Sequence, residues 1–328
     1  MEVEQNVDGD GDYHMEDVNE VPRFGVQPTR SLAETAESYD ALYETVEQLH
    51  DNHVFICRRR PSNGQAQDAT PYVVKQYAKP WRPVGNAIAM DDRQRKRAAR
   101  EVDIVKELRS RPDLFVEVKG IFITNYRISV VMRKYKQDLL KLILRRFNAN
   151  ANFERFGDGE VHTVAARMLA ALAYLHDELG VAHRDVKLLN AFLDDDVGSV
   201  VLGDMDHARS LATGEAASTT GFMVGTLPFN PPEMRLGFLG THGRQVDIYQ
   251  LGVMLYLLLS PRMLYNPDVF NHYSFFTHPD ALAAWNAAAA ADGAAGAARA
   301  VFVRRMMADD PALRGTAAQN RADPWLAG

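Results

Sequence analysis

"HRDVKLLN", residues 183–190, places His183, Arg184, Asp185, Lys187 and Asn190 within eight residues. It follows "GEVHTVAARMLAALAYLHDEL" (159–179), whose apolar residues recur at helical spacing. A loop offering an Asp, a Lys two residues on and an Asn five on suits phosphoryl transfer. The Asp can orient a hydroxyl nucleophile and accept its proton, the Lys can offset phosphate charge, and the Asn can ligate a cation. The alternative is a polar loop closed by chance Asx turns. The order and spacing favour the chemical reading.

Working outward, "VLGDMDHARS" (201–210) ends a short apolar strand with two carboxylates, Asp204 and Asp206, separated only by Met205. Such a pair could hold a metal ion, make a turn, or sit solvated. On the N-terminal side, "HVFICR" (53–58), "YVVKQYA" (72–78), "FVEVKGIFIT" (115–124) and "ISVVMRKY" (128–135) are β-branched or aromatic runs that predict strands. One helical segment, "DDRQRKRAAREVDIVKELRS" (91–110), interrupts them. From 138 onward helices dominate. "VDIYQLGVMLYLLLS" (246–260) is apolar on nearly all faces, as a buried central helix is. "ALAAWNAAAAADGAAGAARAVFVRRMMA" (281–308) is Ala-rich, and Gly293 and Gly296 are both expected to break it. The outline is a small β-rich lobe followed by a larger helical lobe.

Composition limits the alternatives. The first 20 residues hold eight acids and no Lys or Arg, leaving 37 bases against 35 acids in the other 308 residues. The folded part is thus nearly neutral, which gives no case for nucleic-acid binding. The acidic stretch reads as a disordered tail over 1–34. Its "DGDGD" (8–12) departs from a calcium loop at Tyr13 and Asn19. The longest apolar run, "LGVMLYLLL" (251–259), is too short to span a bilayer, and "MEVEQNVDGD" is not a secretory signal. The single cysteine, Cys57, excludes a disulfide framework. An intracellular protein, cytoplasmic or nuclear, is expected.

With these residues in place, the chain resembles the eukaryotic protein kinase family, in its serine/threonine branch. "HRDVKLLN" matches the H-R-D-L-x-x-x-N signature except at Val186. Asp204 follows Asp185 by nineteen residues, where the family's D-F-G Asp stands; "DMD" replaces D-F-G. "YVVK" (72–75) is similar to the V-A-I-K strand and "REVDIVKEL" (100–108) to helix C. "VGTLPFNPPEM" (224–234) resembles G-T-x-x-Y-x-A-P-E, with Pro231 in the Ala position, and "DPALRGTAAQNRADPWL" (310–326) the family's last two helices. The resemblance runs from about 38 to 327. It implies an α+β, two-lobed protein kinase fold, with an N-lobe over 35–135 and a C-lobe over 136–328.

The resemblance also implies roles. Asp185 is the catalytic base and Lys187 steadies the transferred group. Lys75, paired with Glu101, holds the α- and β-phosphates of ATP. Asn190 and Asp204 ligate Mg²⁺. Met132 is the gatekeeper, Arg133 to Tyr135 face adenine, Asp138 reaches the ribose, and Phe192 packs under the base. Thr226 sits near Asp185, Glu233 pairs with Arg314, and Asp247 braces the catalytic loop. Arg184 can bind a phosphate on the activation segment, and a phosphosite is expected among Ser218, Thr219 and Thr220. Arg93, Arg95, Lys96 and Arg97 could assist, or form only a solvated helix face. Implied partners are a protein substrate with a Ser or Thr acceptor and an activating kinase or regulatory protein.

Two departures stand out. The Gly-rich loop belongs near "EQLHDNHVFICR" (47–58), which has no glycine. Glycines let backbone amides approach phosphates closely. His50, Asp51, Asn52 and His53 predict a tighter polar turn. His50, His53 and Cys57 have a loose metal-like spacing, for which an ordinary hairpin is the simpler reading. Asp206 occupies the D-F-G glycine position, where it could join the metal site or turn outward. An active kinase is the favoured expectation. The alternative is a pseudokinase that binds nucleotide or scaffolds without efficient transfer.

Overall fold

A computed structural model of the chain describes residues 38–49, 53–61, 70–78, 92–124, 127–150, 155–211, 226–235, 243–270 and 275–327. The acidic tail, the calcium-like stretch, His50 and Ser218 to Thr220 lie outside the described residues. A short helix, α1 (Tyr39–Leu42), leads into β1 (Tyr43–Gln48), β2 (Val54–Arg59) and β3 (Pro71–Ala78). Helix α2 (Asp92–Leu108) follows, then β4 (Val118–Ile123) and β5 (Arg127–Arg133). The five strands form an antiparallel sheet in the order β1-β2-β3-β5-β4.

Strand alternation divides the sheet's side chains between two cores. Val74, Val131, Phe122 and Cys57 point to an outer face capped by Tyr39 and Tyr43. Tyr39 and Tyr43 stack at 5.7 Å, and both meet Phe122 edge-on. Tyr77, Ile121, Ile128 and Val130 point to the inner face, where Val102, Ile104, Val105 and Leu108 of α2 cover them. Lys75 lies in register with Tyr77 on that inner face, so the strand aims its lysine at the helix. Cys57 is buried in the outer core, and among the described residues it belongs to no group of three or more metal-ligating side chains.

The second lobe begins at β6 (Gln137–Asp138), then α3 (Leu139–Asn150) and α4 (Asp158–Ala173). The helical spacing of 159–179 is met: α4 continues past Ala173 into a π-helical turn, Tyr174–Glu178. Short strands β7 (Val181–Ala182), β8 (Ala191–Leu193), β9 (Val201–Leu202) and β10 (Arg209–Ser210) frame the loops that carry chemistry. Then come α5 (Pro232–Arg235), α6 (Gln245–Leu259), α7 (Pro267–Phe270), α8 (Pro279–Ala291), α9 (Gly293–Met306), α10 (Ala317–Arg321) and α11 (Pro324–Ala327). Every residue of α6 from Val246 to Leu259 is buried, as its unbroken apolar pattern requires.

One expectation fails in the Ala-rich region. Gly293 does break the helix, at φ +58°. Gly296 does not. It lies inside α9, buried, where an added Cβ would come within 2.2 Å of the Ala289 carbonyl oxygen. Its job is close helix packing rather than helix breaking.

Candidate active site

The loop 183–190 is held from below by α6. Asp247 is fully buried and accepts hydrogen bonds from the His183 amide (2.8 Å), the Arg184 amide (2.6 Å) and His176 Nε2 (2.7 Å). Burial opposes its charge, but the His176 hydrogen bond and the neighbouring histidines hold its carboxyl below the usual range. Three residues on, Gln250 accepts from the Val186 amide (2.9 Å) and donates to the Arg184 carbonyl (3.2 Å). These bonds explain how Arg184 keeps a left-handed backbone, φ 69°, which is costly for a side chain of its size. His183 accepts the Asp185 amide at Nδ1 (3.2 Å), so its Nε2 donates to the Gly203 carbonyl (3.0 Å). That contact ties the loop to the segment carrying Asp204.

Asp185, 2 % exposed, is the hub of a local network. Lys187 Nζ donates to its Oδ2 (2.7 Å) and to Thr226 Oγ1 (2.9 Å), and Thr226 donates to its Oδ1 (3.0 Å). Asn190 Nδ2 donates to the Asp185 carbonyl (2.8 Å) and to its Oδ2 (3.2 Å).

A second cluster forms around Lys75. Its ammonium contacts Glu101 Oε1 at 2.7 Å, Asp204 Oδ1 at 2.7 Å and Asp206 Oδ1 at 3.4 Å. Burial works against the ammonium, but Glu101 and Asp204 outweigh it and hold its pKa well above the ordinary value. Burial pushes the Glu101 carboxyl upward, against the pull of Lys75. Asp204 stays below the usual carboxylate range, because Lys75 overcomes its burial. Asp206 is therefore turned inward. The left-handed backbone of this segment falls on Asp204, φ 65°, and not on Asp206, so Asp206 has no need of glycine's freedom. Met205 is buried in the core.

Between the lobes lies a cleft of about 500 Å³. Lys75, Glu101, Asn190, Asp204, Met132 and Phe192 all line it, as do Arg133, Tyr135 and Asp138 at its rim. The Arg133 guanidinium pairs with Asp194 (2.7 Å) and lies over the Tyr135 ring. Asp138 Oδ1 accepts from the Lys141 amide (2.8 Å), capping the start of α3. The oxygen donors of Asp204 and Asn190 suit a hard cation such as Mg²⁺. The carboxylate oxygens of Glu101, Asp204 and Asp206 lie within 4.8 Å of one another.

Arg184 is buried, and its Nε and Nη2 have no hydrogen-bond partner among the described residues. Burial and the nearby Arg100 guanidinium lower its pKa, against the attraction of Asp247. The side chains of Arg93, Arg95, Lys96 and Arg97 lie outside the described set. Farther down, Arg314 is fully buried and grips Glu233 through Nη1 (2.5 Å) and Nη2 (2.9 Å).

The sequence reading missed Tyr77, whose hydroxyl donates to Glu101 Oε2. The strand period was the available signal, since residues two apart share a face. It also missed His176 and Gln250, whose partners lie 71 and 64 residues away.

Residues 69–326 match the protein kinase domain family. Among curated relatives, a probable myosin light chain kinase of Dictyostelium discoideum is 27% identical over 246 residues, 70% of this chain and 61% of that one. The cell cycle serine/threonine-protein kinase CDC5/MSD2 of Saccharomyces cerevisiae is 29% identical over 176 residues, 54% of this chain and 23% of that one. The serine/threonine-protein kinase US3 homolog of Gallid herpesvirus 2 is 31% identical over 156 residues, 48% of this chain and 36% of that one. The chain thus spans less than two thirds of these relatives' own lengths.

Proposed function

From the chain's membership of the protein kinase family, we propose that it is an active serine/threonine kinase, transferring the γ-phosphoryl group of ATP to hydroxyls of protein substrates. The observation that carries this reading is the meeting of Lys75, Glu101 and Asp204 from three separate segments at 2.7 Å contacts on the wall of one cleft. Glu101 fixes the lysine, and the lysine orients the α- and β-phosphates. Asp204 and Asn190 would hold Mg²⁺, which when bound would neutralise charge on the phosphates. Asp185 receives the proton of the acceptor hydroxyl as its oxygen bonds to phosphorus and the bond to ADP breaks. Lys187 steadies the transferred group, and Thr226 keeps Asp185 and Lys187 in one network. Met132, Arg133, Tyr135, Asp138 and Phe192 form the adenosine end.

Arg184, with two guanidinium nitrogens unsatisfied and Arg100 nearby, is a fitting receiver for a phosphate placed by an activating kinase on Ser218, Thr219 or Thr220. The kinase unit spans about 38–327, an N-lobe to 135 and a C-lobe from 136. Among the described residues no helix is long and apolar enough to cross a membrane. An intracellular setting fits the family reading.

A second reading, nucleotide binding without transfer, is favoured by one observation. Asp206 adds a third carboxylate to the Lys75 ammonium, competing with phosphate for it. Labelled ATP offered with Ser-, Thr- and Tyr-containing protein acceptors separates the readings. Phosphoserine or phosphothreonine is expected. Phosphotyrosine alone contradicts the branch assignment, and ATP binding with no labelled product favours the second reading.

A further inference from the structure

Glu101 is gripped from two sides by one strand. Lys75 takes its Oε1 at 2.7 Å, and Tyr77, two residues along β3, donates its hydroxyl to Oε2. Glu101 and Tyr77 are 4 % and 5 % exposed, so water does not substitute readily for either donor. On the tyrosine's other side stands His53, at the end of the glycine-free turn, its ring 5.8 Å from the Tyr77 ring. The His53 carbonyl accepts from the Gln76 amide at 2.8 Å. Tyr77 thus joins the β1–β2 turn, strand β3 and helix α2 at one point.

We propose that Tyr77 is a positioning residue: its hydroxyl latches Glu101, holding helix α2 inward so that the Lys75–Glu101 pair is assembled before nucleotide arrives. The physical reason is satisfaction of a buried carboxylate. Lys75 divides its ammonium among three acids and cannot serve both oxygens of Glu101. Without the hydroxyl, the buried Glu101 carboxyl loses its tyrosine donor while acidic Asp206 stays beside it, a costly state that outward movement of α2 relieves. Lys75 then settles on Asp204 and Asp206, out of position for phosphate. The effect on nucleotide rests on the proposed role of Lys75; the latch itself does not.

The test uses the full chain with Tyr77→Phe, which keeps the ring and deletes the hydroxyl. The first readout is hydrogen exchange of α2 amides 98–108 in the free protein, with α6 as internal reference. Exchange in α2 is expected to rise about tenfold or more while α6 is unchanged. Unchanged α2 exchange in Tyr77→Phe overturns the latch, and an equal rise in α6 does too, since it marks general destabilisation. The second readout is Mg·ATP affinity in a double-mutant cycle. Tyr77→Phe should weaken binding roughly tenfold alone and have no further effect on Glu101→Ala. Equal losses in both backgrounds would overturn action through Glu101. If the unmutated chain binds no Mg·ATP, the nucleotide reading fails, while the exchange result still decides the latch.

Discussion

At Asp206 an acid stands where the family carries glycine, and its backbone is not the reason. The strained residue is Asp204, and Asp tolerates left-handed angles better than most. What Asp206 changes is charge. Three carboxylates now face one ammonium, and ATP brings more negative charge to the same spot. At an effective dielectric near 20, one like charge about 6 Å away costs on the order of 3 kcal/mol, which screening by solvent and salt cuts to roughly half. Asp206→Gly is therefore expected to raise affinity for metal-free ATP about tenfold, and affinity for Mg·ATP by less. Titration in EDTA and in Mg²⁺ checks this; equal affinity for metal-free ATP in both proteins would contradict it. Lys75, Glu101 and Asp204 were legible because each sits in a recognisable local pattern. Tyr77 and the direction of Asp206 were not. Their roles arise only when β3, α2 and the 204–206 segment are brought together.

At the scale of elements, the strands and the central helix follow from period and apolarity. The pair α8 and α9 shows where such signals stop. In a run this rich in alanine, both glycines look alike as helix breakers. Only Gly293 takes the positive φ; Gly296 lets α9 approach α8, with the Ala289 carbonyl where a side chain would be. Contact across a helix pair leaves no mark on the local pattern. Gly296→Val is expected to destabilise the chain by about 1–3 kcal/mol through overpacking. Urea unfolding checks it, and a stability equal to the unmutated chain would contradict the packing role. Asp247 and Gln250 make the complementary point. Both lie on a helix whose apolar pattern says only that it is buried; the family resemblance marked Asp247 as the brace of the loop 183–190, and nothing local marked Gln250, which carries the loop with it.

At the scale of the molecule, the order of motifs along the chain was enough to name the architecture. The two lobes are stitched by main-chain bonds between Leu202 and the 114–116 segment and by Lys75 reaching Asp204. The cleft between them draws on both, which is why no single stretch of sequence describes it. The central claim is that this cleft transfers phosphate despite a glycine-free turn and a third carboxylate. The most direct measurement is the rate of phosphate transfer from Mg·ATP to a Ser/Thr protein substrate, for the unmutated chain beside Asp185→Asn, with Mg·ATP affinity recorded for both. The expected result is transfer that falls about a thousandfold in the variant while affinity stays the same. Transfer by the unmutated chain no faster than by Asp185→Asn, at saturating Mg·ATP, would contradict it.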